Sequence, residues 1–198
     1  METGFKKNNG IIFIERRINA DDLRNLQKYK KTKVVSFTKL QLENLDFSVP
    51  LTELEDLRLY ECSIQDPSAL SHFEKLRSLF INGVRNENND FAFLSQLTAI
   101  EQISIGYAPQ FRKFPDLSNC QKLKNVTLFN CKRLENIDQV ALIPNLEKFS
   151  IVETPQKPND LEFVMKMPSL KYLSGAFGGK KVDEEFHLLL EKYGIEYE

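Results

Sequence analysis

The residues able to do chemistry are few, and their spacing argues against it. Gly178-Gly179-Lys180-Lys181 stands before a helical pattern and has the residue types of a phosphate-cradling loop. Such a loop needs a glycine at 174 to turn the backbone and a hydroxyl at 181 to reach Mg2+, whereas the chain carries Ser174 and Lys181. It therefore reads as a flexible loop ahead of a cap. His72 and His187 have no second ligand at helical spacing, so no zinc site is expected. Cys62, Cys120 and Cys131 are odd in number and lack C-x-x-C spacing, which indicates neither a disulfide framework nor a metal knuckle. Cys120 as a nucleophile would need a neighbouring base and a depressed pKa. It supports a thiol enzyme only as the third reading. The acidic stretch from Glu87 to Asp90 lacks the ligand order of an EF-hand loop. No catalytic residue, metal or cofactor is expected.

Composition narrows the class further. The 198 residues suit one domain, and 41% hydrophobic with 28% charged residues is globular composition. A net charge of −1 argues against whole-surface polyanion binding, which needs clustered cations. The charge is uneven, however: residues 1–40 hold ten Lys/Arg against four Asp/Glu. The runner-up function is therefore a nucleic-acid contact through Lys6, Lys7, Arg16, Arg17, Lys28, Lys30, Lys31 and Lys33. The first residues lack an apolar signal region and no apolar run reaches membrane-spanning length. The default expectation is a cytoplasmic monomer with no membrane contact and no small-molecule substrate.

One stretch organises the rest. Leu54, Leu57, Leu59, Cys62 and Ile64 fit the frame L-x-x-L-x-L-x-x-[N/C]-x-[L/I], and the frame restarts at Leu76, Ile100, Leu123, Leu146 and Leu170, with a weaker copy at Thr32. The restarts from Leu54 are 22, 24, 23, 23 and 24 residues apart. A second register of apolar or small residues precedes each start by three: Leu51, Phe73, Leu97, Cys120, Ile143 and Met167. This pattern resembles the leucine-rich-repeat family, in its short cytosolic bacterial type, over roughly residues 32–177.

The resemblance implies an α/β solenoid: a curved parallel sheet on the concave side, short helices and irregular segments on the convex side, and helical caps at both ends. It implies one domain, 1–198, with an N-terminal cap over 1–31, six to seven repeats over 32–177 and a C-terminal helical cap over 178–198. The family places Asn or Cys at the ninth repeat position, which makes Cys62 and Cys131 small buried turn residues with weak S–H donors. Within the N-terminal cap, Ile11–Ile14 reads as a strand. Asn19 can cap a helix ending near Tyr29, with Ile18 and Leu23 as a staple. On the convex side, Asp66-Pro67 reads as a helix start before Leu70 and Phe73, and Asn88-Asn89-Asp90 as another before Phe91. The polar loop from Asn82 to Asp90 is expected to bulge into solvent. Near the end, Gly175 stands where the sixth-position Leu belongs, so the repeats are expected to stop there. A helix should begin at Asp183 with Phe186, Leu189, Leu190 and Tyr193 inward, end at Gly194, and lead to an edge strand over 195–198.

Side chains alternate along a strand, so positions 4 and 6 should point into the core while 3, 5 and 7 face outward. That puts an aromatic on or beside most rungs, among Ser, Thr and Asn. Arg58, Tyr60, Phe80, Asn82, Tyr107, Thr127, Phe129, Tyr172 and Phe177 are the expected partner-binding residues. Aromatics with small polar neighbours are the composition of a protein-binding surface. The resemblance also implies a scaffold that holds other proteins, and the leading expectation is a non-catalytic module binding a protein partner on its concave face. A free-standing repeat domain suits an inhibitor, the narrowest form being an immunity protein that neutralises a toxin.

Overall fold

The computed structural model describes residues 5–8, 10–15, 26–86 and 91–198. Nine strands form one sheet: β1 (Phe5–Asn8), β2 (Ile11–Glu15), β3 (Val34–Thr38), β5 (Asp56–Tyr60), β7 (Ser78–Asn82), β9 (Gln102–Gly106), β10 (Asn125–Phe129), β11 (Lys148–Val152) and β12 (Tyr172–Ala176). All neighbours from β2 onward are parallel, and only the β1–β2 hairpin is antiparallel. Strands β4 (Gln41–Asn44), β6 (Ser63–Asp66) and β8 (Arg85–Asn86) make a second, three-stranded parallel sheet just past the first turn.

The alternation in the sequence fixes the register. Leu57, Leu59, Leu79, Ile81, Ile103, Ile105, Val126, Leu128, Phe149 and Ile151 are all buried, and their odd-position neighbours, Gly106 apart, are left at least partly open. A rung exposes its leucines until the next rung covers them, so the core is one continuous cluster from Ile12 to Leu190.

Six of the strands, β3, β5, β7, β9, β10 and β11, end in the same backbone device. Lys39, Glu61, Tyr107, Asn130 and Glu153 occupy the eighth repeat position with φ between 48° and 57°, and Gly83 takes that position with φ 67°. The left-handed residue turns the chain out of the sheet, and its N–H reaches the last carbonyl of the next strand, as in Glu61 to Asn82 at 2.7 Å and Asn130 to Val152 at 2.9 Å. The thiol one position later completes the turn. Cys62 Sγ donates to the Phe37 carbonyl at 3.5 Å and Cys131 Sγ to that of Ile105 at 3.7 Å, each a sixth-position carbonyl of the preceding rung.

The convex side is built from 3-10 turns, at Ser68–His72, Ala92–Gln96, Asp138–Leu142 and Pro158–Leu161, with one short α-helix, α1 (Glu162–Met165). Segments of four or five residues make few i to i−4 bonds and favour the tighter turn, and α1 holds α geometry as the direct continuation of the Pro158–Leu161 turn. Asp66 does start its turn, by accepting from the Ser68 N–H at 2.8 Å, and Asn44, Asp116 and Asn136 do the same two residues ahead. The expected start at Asn88-Asn89-Asp90 lies outside the described residues. Of the loop expected to bulge from Asn82 to Asp90, the first part buries Val84 and adds β8 to the second sheet, and residues 87–90 lie outside the described residues.

At the N-terminal edge the described residues show the β1–β2 hairpin and a 3-10 turn, Gln27–Tyr29, after the buried Leu26. The expected cap at Asn19 and the staple of Ile18 on Leu23 lie outside the described residues. Ile12 and Ile14 pair with Val35 and Phe37 and are as buried as any repeat leucine, so β2 already works as a rung. At the other edge α2 (Lys180–Tyr193) starts three residues earlier than expected, which places Lys180 and Lys181 in its first turn and not in a loop. It buries Phe186, Leu189 and Leu190 and ends at Gly194 with φ 67°. The chain end then adds a single parallel bridge, Tyr172 with Glu196.

A ladder of charge runs down the second repeat position: Lys33, Glu55, Arg77, Glu101, Lys124, Glu147 and Lys171 alternate in sign on successive rungs. Lys33 meets Glu55 at 2.7 Å, Arg77 meets Glu101 at 3.5 Å, and Glu147 takes Lys124 at 2.8 Å and Lys171 at 2.7 Å. Hydrogen bonds from Lys124 and Lys171 lower the Glu147 carboxyl from its ordinary 4.5 to about 2. Because the folded form holds that proton more weakly than the unfolded chain, the stabilisation is complete above pH 4.5 and disappears as pH falls towards 2. Urea unfolding of Glu147→Gln should accordingly show a smaller loss of midpoint between pH 7 and pH about 3 than the parent chain.

Candidate protein-binding face

Strict register places the outward side chains in three rows across the sheet. The middle row reads Phe13, Ser36, Arg58, Phe80, Ser104, Thr127, Ser150 and Ser174; the row at the strand ends reads Thr38, Tyr60, Asn82, Gly106, Phe129, Val152 and Ala176. The aromatics on the two rows touch. Tyr60 and Phe80 have ring centroids 5.1 Å apart, Phe80 and Phe129 6.1 Å, and Phe129 and Tyr107 meet edge to face at 5.5 Å. Rings at such separations attract beyond the area they cover, so the four make one continuous ridge.

Gly106 explains how Phe80 and Phe129 meet across an intervening strand. A Cβ on Gly106 would lie 1.9 Å from the Phe129 ring, so that ring lies flat over the glycine and bridges β9. Gly106→Ala is expected to fold, since the position is an ordinary extended one, but the methyl must expel the ring. Loss of the Phe80 to Phe129 NOE, with a melting temperature changed by only a few degrees, is the outcome to look for.

Tyr107 is the most conspicuous member. It is 53% exposed, and its φ of 48° is a conformation that β-carbon sterics disfavour. The other copies place Lys39, Glu61, Gly83, Asn130 and Glu153 there. Next to it a cleft of about 460 Å3 opens at the strand ends, with Lys39, Glu61, Arg85 and Pro109 on its walls. Lys39 and Glu61 are paired at 3.6 Å.

The remaining expected residues divide. Arg58 lies in the middle row with its guanidinium held by Asp56 at 2.7 Å, which raises the Arg58 pKa chiefly through that hydrogen bond. Asn82 and Thr127 are half-buried on the same face, beside Tyr60 and Phe80 and beside Phe129 respectively. Tyr172 stands at the first outward position of β12, away from the ridge. Phe177 is a correction. A Cβ on Gly175, an inward position, would meet the Phe177 ring at 2.7 Å, and that ring packs on buried Phe186 at 4.9 Å. Phe177 therefore fills the hole left by the missing sixth-position leucine, and β12 continues through Gly175 as a full rung. Phe13 joins the face unanticipated, because the first residues read as a cap and not as a rung. Its signal was the alternation Ile12, Phe13, Ile14.

The other candidate chemistries take structural places. Cys120 is buried, donates to the Leu94 carbonyl at 3.5 Å, and burial pushes its pKa up to about 11, the opposite of what a thiolate nucleophile requires. His72 is exposed at the end of a 3-10 turn, and the exposed His187 meets Tyr197 edge to face at 4.8 Å. Among the described residues no group of three or more His, Cys, Asp or Glu is placed to hold a metal.

A parallel solenoid of 22- to 24-residue coils, with leucines stacked inward and a left-handed turn after each strand, is the leucine-rich-repeat architecture. The chain belongs to that family: the profile described as "At1g61320/AtMIF1, LRR domain" matches residues 25–177. Among solved structures it is similar to an internalin (inlF) from Listeria monocytogenes, at 18% identity and a TM-score of 0.59 over 84% of this chain and 47% of the other. It is also similar to TLR13 in the TLR13–ssRNA13 complex, at 18% identity and a TM-score of 0.55 over 83% of this chain and 24% of the other. The chain thus spans less than half the length of either structure, and the likeness is one of fold. A search of curated proteins found no match. Family membership supports a protein-interaction module as the general class.

Proposed function

We propose that this protein binds a protein partner on its concave face and blocks or sequesters it, acting as a monomer in the cytoplasm. One observation carries the reading: Tyr60, Phe80, Phe129 and Tyr107 form a continuous ring-on-ring ridge outside the core, in a sheet whose leucines are all turned the other way. Contiguous aromatics facing solvent among Ser, Thr and Asn are the make-up of a binding hot spot. Nine strands about 4.8 Å apart and five residues deep give a face of about 600 Å2, short of the roughly 800 Å2 per partner of a standard interface. The edge beside Tyr107 and Arg85 supplies the remainder. The cytoplasmic setting is supported by three free, buried thiols. The narrowest form of the reading is an immunity-type inhibitor of a toxin.

The test is capture of a partner from lysate, its identification by mass spectrometry, and hydrogen exchange of the purified complex. Protection confined to β5 through β10 and the Tyr107 edge is expected. Protection confined to the convex 3-10 turns would overturn the assignment.

A further inference from the structure

The charges on the sheet that carries the ridge are matched within the chain. From β5 to β12 the described outward strand positions hold three charged side chains, and all are paired: Asp56 with Arg58 at 2.7 Å and Lys148 with Glu198 at 2.5 Å. The rim at the strand starts is the alternating ladder, whose members from Glu55 to Lys171 are each held by a neighbour. Hydroxyl and amide groups fill the rest. Ser104, Thr127, Ser150 and Ser174 stand in register on four consecutive strands, with Asn125 two residues from Thr127, and all five are partly open. Electrostatic complementarity is what steers and selects a charged partner, and a face whose ions already compensate one another has little of it to offer. Its means of recognition are rings and hydrogen-bond donors.

The spacing of the rings narrows the partner further. The Phe129 ring lies over Gly106 of β9, and Tyr60 stands in the same row on β5, two strands away. Two strand spacings are about 9.6 Å. A polyproline II segment repeats every three residues, about 9.3 Å, so residues i and i+3 of one laid across the strands reach both rings. Such a backbone makes no internal hydrogen bonds, so its carbonyls need donors, and the hydroxyl row further along the sheet supplies them. An α-helix bonds its own carbonyls and would leave that row idle. The sheet gives about 600 Å2, less than a standard interface, and a preformed extended segment suits a small face because it loses little entropy on docking.

We propose that the partner presents an uncharged, proline-rich extended segment, laid across the strands with prolines at i and i+3 on Tyr60 and Phe129 and its later carbonyls on the hydroxyl row. The five spacings from β5 to β12 are about 24 Å, which is about eight residues of such a segment. The proposal rests on the concave-face reading and names the chemistry of its partner.

Panning a displayed library of random dodecapeptides against the full chain, with clones that also bind Phe80→Ser/Phe129→Ser discarded, is the test. Enrichment of uncharged peptides with prolines three apart is expected. The strongest of these, labelled with fluorescein and followed by anisotropy, should bind within about twofold at low and high salt, since no ion pair forms. Changing its prolines to alanine should weaken it at least about tenfold, through the ordering cost restored to the free peptide. Thr127→Val, which removes a donor and keeps the shape, should weaken it about fivefold. Enrichment of peptides without proline, of charged ones or of an amphipathic helical pattern, or no clone specific to the parent chain, overturns the proposal. The concave-face reading fails separately. If a captured partner protects β5 through β10 from hydrogen exchange while its own contact segment is charged or folded, that reading stands and this one does not.

Discussion

Replacing Phe80 and Phe129 together by serine is expected to abolish partner capture and leave the fold standing. Both rings lie on outward rows, half-buried by each other and by Tyr60 and Tyr107, while the core beneath them is closed by Leu79, Ile81, Val126 and Leu128. Truncating a central aromatic of a hot spot costs at least about 2 kcal/mol of binding, so two of them weaken the complex by about a thousandfold. The stability cost is limited to the three ring-on-ring contacts and partial burial, about 2–4 kcal/mol for the double change. Titration calorimetry against the captured partner and urea unfolding of the free protein measure the two quantities separately. A fall in stability of about 6 kcal/mol or more, the cost of emptying two core phenylalanine sites, would make the rings part of the core; unchanged affinity would make the ridge idle.

The second large effect lies one residue away and has the opposite character. Leu128→Ala should destabilise the chain by about 3–5 kcal/mol, because Leu128 is fully buried between Ile105 and Ile151 of the flanking rungs and neither can move in to fill the cavity. Thr127→Ala should change stability by no more than about 0.5 kcal/mol, since Thr127 lies on the outward face. In a solenoid each rung is held only by its neighbours, so a defect in β10 uncouples the rungs on either side of it. Urea denaturation followed by circular dichroism should show a broadened transition for Leu128→Ala and a parent-like one for Thr127→Ala.

The two variants test the same fact, which the alternation of residue types already contains. A strand has a side-chain period of two, and a single buried face allows only one register, so the rows of leucines determine which residues are inside without any knowledge of their neighbours. The ninth-position cysteines were legible for the same reason. The charge ladder was also legible: once the coils are stacked on their leucines, Lys33, Glu55, Arg77, Glu101, Lys124, Glu147 and Lys171 alternate in plain order.

What the residue order by itself determined, then, is which strand side chains face in and which face out, because these follow from periodicity along the chain. Tertiary structure alone decided what each outward side chain leans on. Phe129 reaches Phe80 because the rung between them carries Gly106, and Phe177 turns inward because Gly175 leaves a hole beneath it. The hairpin became a rung because Ile12 and Ile14 could cover Val35 and Phe37. Each outcome depends on the volume left free by a residue brought alongside through folding. Volume is a property of stacked coils and does not appear in the pattern of any one of them.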